Sequence, residues 1–317
     1  MGKKVLFFGD FGIDDVFAAI YAYFTEEIDI VGIVADYGNV PKNVALKNAL
    51  YLQQLTGTMD IPLIGGAANP LTGVEPTFYP EVHGPQGLGP IVPGIELQQE
   101  FENFYEINTI IEKYRDEITI VNVGRLSALA TVFILYPNLI SSVKDIYVMG
   151  GAFLSPGNVT PVAEANIYSD PIAANIVINR SPIPLHIVPL DVTDYALLTP
   201  EMANQIQRVY ENKKHELRKV FKPLFDFYYN FYSSNRIGIK GSPMHDAVVM
   251  WALREDSEIN FMEIPTQVVI SEGISFGQTI GDFREQKVKA TYPVHRIAMS
   301  FNYDQFISDF YQTLTNV

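Results

Sequence analysis

A short apolar run, Val5-Leu6-Phe7-Phe8, stops at Gly9 and is followed at once by Asp10, Asp14 and Asp15, then by the apolar stretch Val16 to Tyr23. A run of that length ended by glycine reads as a buried strand and the stretch beyond it as a helix, so the acids fall on a strand-to-helix turn. Open α/β sheets keep their ligand sites at such turns. Three carboxylates on one turn raise one another's pKa unless a cation neutralises them, and hard oxygen ligands favour Ca²⁺ or Mg²⁺. Helix capping is the other reading, with Asp14 and Asp15 complementing the helix dipole and Asp10 serving the turn.

The alternation continues along the chain. Val5 to Phe8, Ile30 to Ala35, Ile118 to Val123, Ile146 to Met149 and Leu185 to Pro189 read as strands. Val44 to Leu55, Leu126 to Tyr136, Ile172 to Ile178 and a long aromatic-rich stretch, Glu201 to Tyr232, read as helices. That pattern predicts an α/β fold, a mostly parallel (mixed) sheet with helices on both faces. No boundary divides residues 1–317, so one domain is expected. Gly65 to Gly94 is dense in Gly and Pro and too long for an ordinary connection, which predicts a functional loop.

Composition excludes several classes. With 317 residues, 48% of them hydrophobic, the chain can bury a large core. A formal net charge of -14 argues against a nucleic-acid binder, which needs clustered Lys and Arg. The absence of cysteine rules out thiolate nucleophiles and Cys-ligated zinc. Met-Gly-Lys-Lys leads straight into a strand and no apolar run reaches membrane-spanning length, so a cytoplasmic protein without a membrane partner is expected.

Three later stretches carry residues suited to chemistry. The segment Met149 to Pro171 runs from a strand into a glycine turn and then spaces Asn158, Glu164 and Asn166 along a loop. Two amides and a carboxylate suit a polyhydroxyl ligand, although turn chemistry also accounts for Asn158 and for Asp170-Pro171. In Met244-His245-Asp246 a titratable ring adjoins a carboxylate just before an apolar segment, so Asp246 can face a metal while His245 faces a substrate, or Asp246 can be a helix cap. His83 lies in the long loop. His186, His215 and His295 have no such context.

Together these segments resemble the inosine-uridine-preferring nucleoside hydrolases, Ca²⁺-dependent enzymes that cleave the N-glycosidic bond of ribonucleosides. The family's Asp-x-Asp-Pro-Gly-x-Asp-Asp aligns with Phe8 to Asp15. Further similar stretches are Asp36 to Val40, the His83 loop, Met149 to Pro171, Leu190 to Thr193, Met244 to Asp246 and Glu272 to Asp282. The resemblance implies Ca²⁺ held by Asp10, Asp15, Asp246 and the carbonyl of Val123. It implies Asp10 as the base for water, Asn39 positioning that water, and His245 as the acid for the leaving base. Asp14, Asn158, Glu164 and Asn166 would hold ribose, with Met149 beneath it and His83 on the nucleobase side. A small nucleoside substrate, a role in nucleoside salvage and a homodimer or homotetramer are implied as well.

Phe8 and Phe11 replace the family's first aspartate and its proline. The family's Gly-Pro-Leu-Thr-Asn reads Gly124-Arg125-Leu126-Ser127-Ala128, which looks secondary because the expected ligand there is a backbone carbonyl. A nucleoside-binding relative with weakened catalysis is the alternative function. An Mg²⁺ phosphohydrolase ranks last, because Gly12 stands where it needs a second acid and no basic phosphate pocket is evident.

Overall fold

The computed structural model describes residues 2–98, 101–285 and 291–317. Its centre is a nine-stranded sheet. In chain order the strands are β1 (Lys3–Gly9), β2 (Ile28–Ala35), β3 (Leu63–Gly65), β4 (Thr119–Asn122), β5 (Asp145–Met149) and β6 (His186–Val188). A separate two-stranded pair, β7 (Leu197–Leu198) and β8 (Ser242–Pro243), follows, and β9 (Ile259–Val268), β10 (Thr279–Gly281) and β11 (Val294–Phe301) complete the large sheet. Across that sheet the order is β10-β9-β11-β6-β5-β4-β1-β2-β3. The seven strands from β3 to β11 pair in parallel, and β9 runs antiparallel to both its neighbours.

Strand β1 shows why both faces of the sheet are covered. Val5 and Phe7 point into one apolar cluster and Leu6 and Phe8 into another, as the two-residue repeat of a strand requires. On the first side lie the helices Ile13–Phe24, Lys42–Thr56, His245–Trp251 and Tyr303–Thr315; on the second lie Ser127–Leu135 and Pro171–Arg180. The alternating elements read from the sequence are present.

One element differs from expectation. Residues 201–232 do not form one helix but two, Pro200–Asn212 and Phe221–Asn235, joined by the 3₁₀ turn Glu216–Lys219. Lys214 adopts the left-handed conformation (φ 53), and the His215 ring accepts from the Leu217 amide to start the short turn. Pro223 then sits in the first turn of the second helix, where a missing N–H costs nothing.

The connections set the site. From β1 the chain winds outward through β2 and β3, and it then returns to place β4 on the other side of β1. The order therefore reverses between β1 and β4, and a crevice opens beyond their carboxyl ends. Asp10 directly follows β1, and Val123 to Arg125 directly follow β4.

Candidate active site

The turn after β1 is held by its own acid. One Asp15 oxygen accepts from the Asp10 amide and the other from the Gly12 amide, both at 3.0 Å. Phe11, where the family has proline, takes the left-handed conformation at φ 49 and packs edge-on against Phe7. Its carbonyl accepts from the buried amide of Asn48. Proline, locked near φ -65°, cannot adopt this turn. The ring of Phe8 is buried among apolar side chains that include Val34, Leu126 and Ile167.

Asp10 is wrapped by hydrogen-bond donors. Its Oδ2 accepts from the Asn39 amide at 2.8 Å and from Arg125 Nη1 at 3.1 Å, while its Oδ1 accepts from Asn39 Nδ2 at 3.0 Å. Gly38 is indispensable here, since a Cβ at that position would lie 1.8 Å from Asp10 Oδ2. Arg125 is itself buried; it donates to Asn166 Oδ1 at 2.7 Å and to Asn39 Oδ1 at 3.3 Å, and its guanidinium lies 5.8 Å from the centre of the Tyr79 ring. Asn166 passes the contact on, donating from Nδ2 to the Val123 carbonyl at 2.7 Å and to the Met149 carbonyl at 3.2 Å.

Beside this network Asp14, Asp15 and Asp246 each turn a carboxylate oxygen to a common point, all within 4.8 Å of one another. Asp246 lies in the first turn of the fully buried helix His245–Trp251. Burial, and then the neighbouring acids, push the carboxyls of Asp15 and Asp246 well above the ordinary range. Asp14 Oδ1 is buried without a hydrogen-bond partner. A set of three hard oxygen donors with uncompensated negative charge fits a divalent cation. Asp10, by contrast, is paired with Arg125, and the Val123 carbonyl is taken by Asn166.

Two histidines flank the acids. His83 Nδ1 accepts from the Ile13 amide, so the neutral ring carries its proton on Nε2; burial lowers its pKa and keeps it neutral. His245 is buried too, with its pKa lowered first by burial. Its Nε2 lies 2.9 Å from the Tyr232 hydroxyl and its Nδ1 2.8 Å from Thr193 Oγ1. The Tyr232 and Tyr228 hydroxyls are 3.5 Å apart, and Tyr228 donates to Asp14 Oδ2 at 3.1 Å. A polar path thus runs from Asp14 through two tyrosines to His245 and Thr193.

Glu164 accepts from three backbone amides, those of Gly151, Asn166 and Ile167, yet burial still raises its pKa. The Asn158 side chain is exposed and accepts from the Ala165 amide. The loop carrying them is stitched to β10, where Thr279 Oγ1 accepts from the Ala152 amide and donates to its carbonyl. A cavity of 340 Å³ brings together Asp14, Asn39, His83, Val123, Met149, Asn158, Glu164, Asn166, His245 and Asp246, with Arg125, Tyr79, Tyr228 and Tyr232 in its wall. That volume lies within the range of small-molecule pockets. Asp10 borders it through Arg125 and Asn39.

Sequence reasoning gave Arg125 and Thr193 no role of their own and did not single out Tyr228 and Tyr232 within the aromatic-rich stretch that ends at Tyr232. Tyr228 and Tyr232 carried a signal, since residues four apart share a helix face. Arg125 carried one as well, as a cation replacing proline at the tip of a strand.

The sequence pattern of the inosine-uridine preferring nucleoside hydrolases matches residues 5–308. The chain belongs to that family. It is accordingly a hydrolase acting on N-glycosyl bonds. The inosine-uridine preferring nucleoside hydrolase of Crithidia fasciculata is 28% identical over 310 residues, covering 96% of this chain and 95% of its own. Uridine nucleosidase 1 of Arabidopsis thaliana is 32% identical over 282 residues, 88% of this chain and 82% of its own. Among solved structures, a plant nucleoside hydrolase superposes with a TM-score of 0.91 at 27% identity and covers 100% of both chains. The purine-preferring ribonucleoside hydrolase of Gardnerella vaginalis gives 0.88 at 26% identity, covering 99% of this chain and 98% of its own. Among the described residues no helix is long and apolar enough to cross a membrane.

Proposed function

We propose that this family member hydrolyses the N-glycosidic bond of ribonucleosides to free base and ribose with the help of Ca²⁺. One observation carries the proposal: Asp14, Asp15 and Asp246 converge beside Asp10 at the sheet's switch point, against a cavity of nucleoside size. Their all-oxygen donor set favours Ca²⁺ over softer ions, and these three residues would hold it. When bound, the ion supplies a Lewis-acid centre that orients the sugar hydroxyls and acidifies water. Asp10, fixed by Asn39 and Arg125, accepts the proton of the attacking water. Glu164, Asn166 and Asn158 line the ribose side, and Met149 packs beneath the sugar. The departing base takes its proton from the side of the cavity that holds His83, Tyr228, Tyr232 and His245. Cytoplasmic location, one catalytic domain over residues 1–317 and homo-oligomeric assembly belong to the same reading; cell fractionation, limited proteolysis and light scattering check them.

The weakened-catalysis reading has one observation in its favour, the ion pair between Arg125 and Asp10, which occupies an oxygen of the carboxylate that would take the proton from water. Ribose release decides between the two. The purified protein is incubated with inosine and with uridine, in Ca²⁺ and in chelator, and reducing sugar is measured. Release with Ca²⁺ and its loss in chelator are expected. Binding of nucleoside without release would leave only the weakened relative.

A further inference from the structure

We propose that Arg125 is a built-in cation of the metal site, a positioning residue that holds Asp10 as an ion-paired acceptor, withdraws it from the ligands of the divalent ion and sets how tightly that ion binds. The inference rests on the metal reading above. Its basis is geometric. Arg125 Nη1 reaches Asp10 Oδ2 and Asn166 Oδ1 at once, and the other nitrogen of the fork reaches Asn39, so one buried guanidinium ties the three residues together. Through Asn166 the same network engages the Val123 carbonyl. Two of the four donors that the family resemblance assigns to the ion are therefore satisfied by side chains of this chain. The remaining cluster is Asp14, Asp15 and Asp246.

The replacements also add up in charge. Against the family pattern the chain loses one carboxylate at Phe8 and gains one guanidinium at Arg125, a change of two positive units, the charge of one divalent ion. A buried positive charge opposes the entry of a second, and the opposition grows where burial weakens screening.

Calorimetric titration of Ca²⁺ into chelator-stripped, full-length protein tests this. Arg125→Met and Arg125→Gln both remove the charge, and each should bind Ca²⁺ ~10-fold or more tightly than the parent, because a released Asp10 carboxylate joins a site with one less positive charge. Arg125→Lys keeps the charge and should stay within about threefold of the parent. A gain in affinity is not what a damaged fold produces, so a merely structural Arg125 predicts equal or weaker binding in all three. Equal or weaker binding in the Met and Gln variants, or a Lys variant as tight as they are, overturns the proposal and leaves the metal reading standing. No Ca²⁺ uptake by the parent or any variant would overturn both.

Discussion

His245→Ala tests whether the polar path ending at Thr193 delivers a proton to the leaving base. The structure gives the imidazole two neutral hydrogen bonds, to Tyr232 and to Thr193, and full burial. Removing it should cost folding stability about 2–4 kcal/mol, roughly 1 kcal/mol per hydrogen bond plus a cavity. Stability measured by urea unfolding must therefore accompany the kinetics. If the ring supplies the proton, kcat on inosine falls ~10²-fold, equivalent to about 2.7 kcal/mol in the barrier. A nitrophenyl riboside departs as a stable anion and needs no proton, so the same variant should cleave it within about threefold of the parent. Tyr232→Phe cuts the path one step earlier. Because the two residues would act as one device, the double variant should lose no more on inosine than the worse single variant. Parallel loss on both substrates, or losses that multiply in the double variant, would refute the relay and reduce His245 to a packing residue beside Asp246.

Three further outcomes are expected. Phe11→Pro, which restores the family residue, should destabilise by about 3 kcal/mol or more, because φ 49 lies outside the reach of the proline ring; a raised melting temperature in calorimetry would refute the turn geometry. Asp170 is buried, caps the helix Pro171–Arg180 through the Ala173 amide and accepts from Ser127 and the Leu71 amide, so Asp170→Ala should cost about 3 kcal/mol in denaturant unfolding. A cost below about 1 kcal/mol would contradict the contacts. Burial pulls His186, stacked on Tyr147, down to about 4. A depressed histidine contributes stability that is full above its ordinary pKa of 6.5 and is lost as pH falls from there toward about 4. His186→Phe should therefore flatten the acid limb of stability against pH by at most about 3 kcal/mol, and an unchanged limb counts against it.

The strands β1, β2, β4, β5 and β6 were legible because buried parallel strands are short, apolar and ended by turn residues, whereas the three residues of β3, running into the Gly- and Pro-rich stretch, were too few to show a pattern. Asp10, Asp14 and Asp15 were legible for the same reason, since one turn brings them together locally. What escaped was set by tertiary partners. Nothing local says that Lys214 turns left-handed and splits a long amphipathic stretch into two helices. Nor does the string Gly124-Arg125-Leu126 reveal that its arginine folds back across the tip of β1 onto Asp10, because that contact spans 115 residues. The aromatic-rich stretch ending at Tyr232 was visible, but not its docking on the acids, because the Tyr228 hydroxyl meets Asp14 across 214 residues.

The bond between Thr279 and Ala152 bears on the order of assembly during synthesis. It spans 127 residues, and the acid cluster joins Asp15 to Asp246 across a still longer interval. A chain emerging amino-terminus first can build β1 to β6 and bury their apolar faces while Asp246 and β10 are not yet made. Through that interval Asp14 and Asp15 face no third ligand, and the loop from Met149 to Pro171 has no strand to dock on. The pocket is therefore among the last regions to close, after most of the sheet that supports it. Binding competence should appear on the ribosome only once β10 has cleared the exit tunnel.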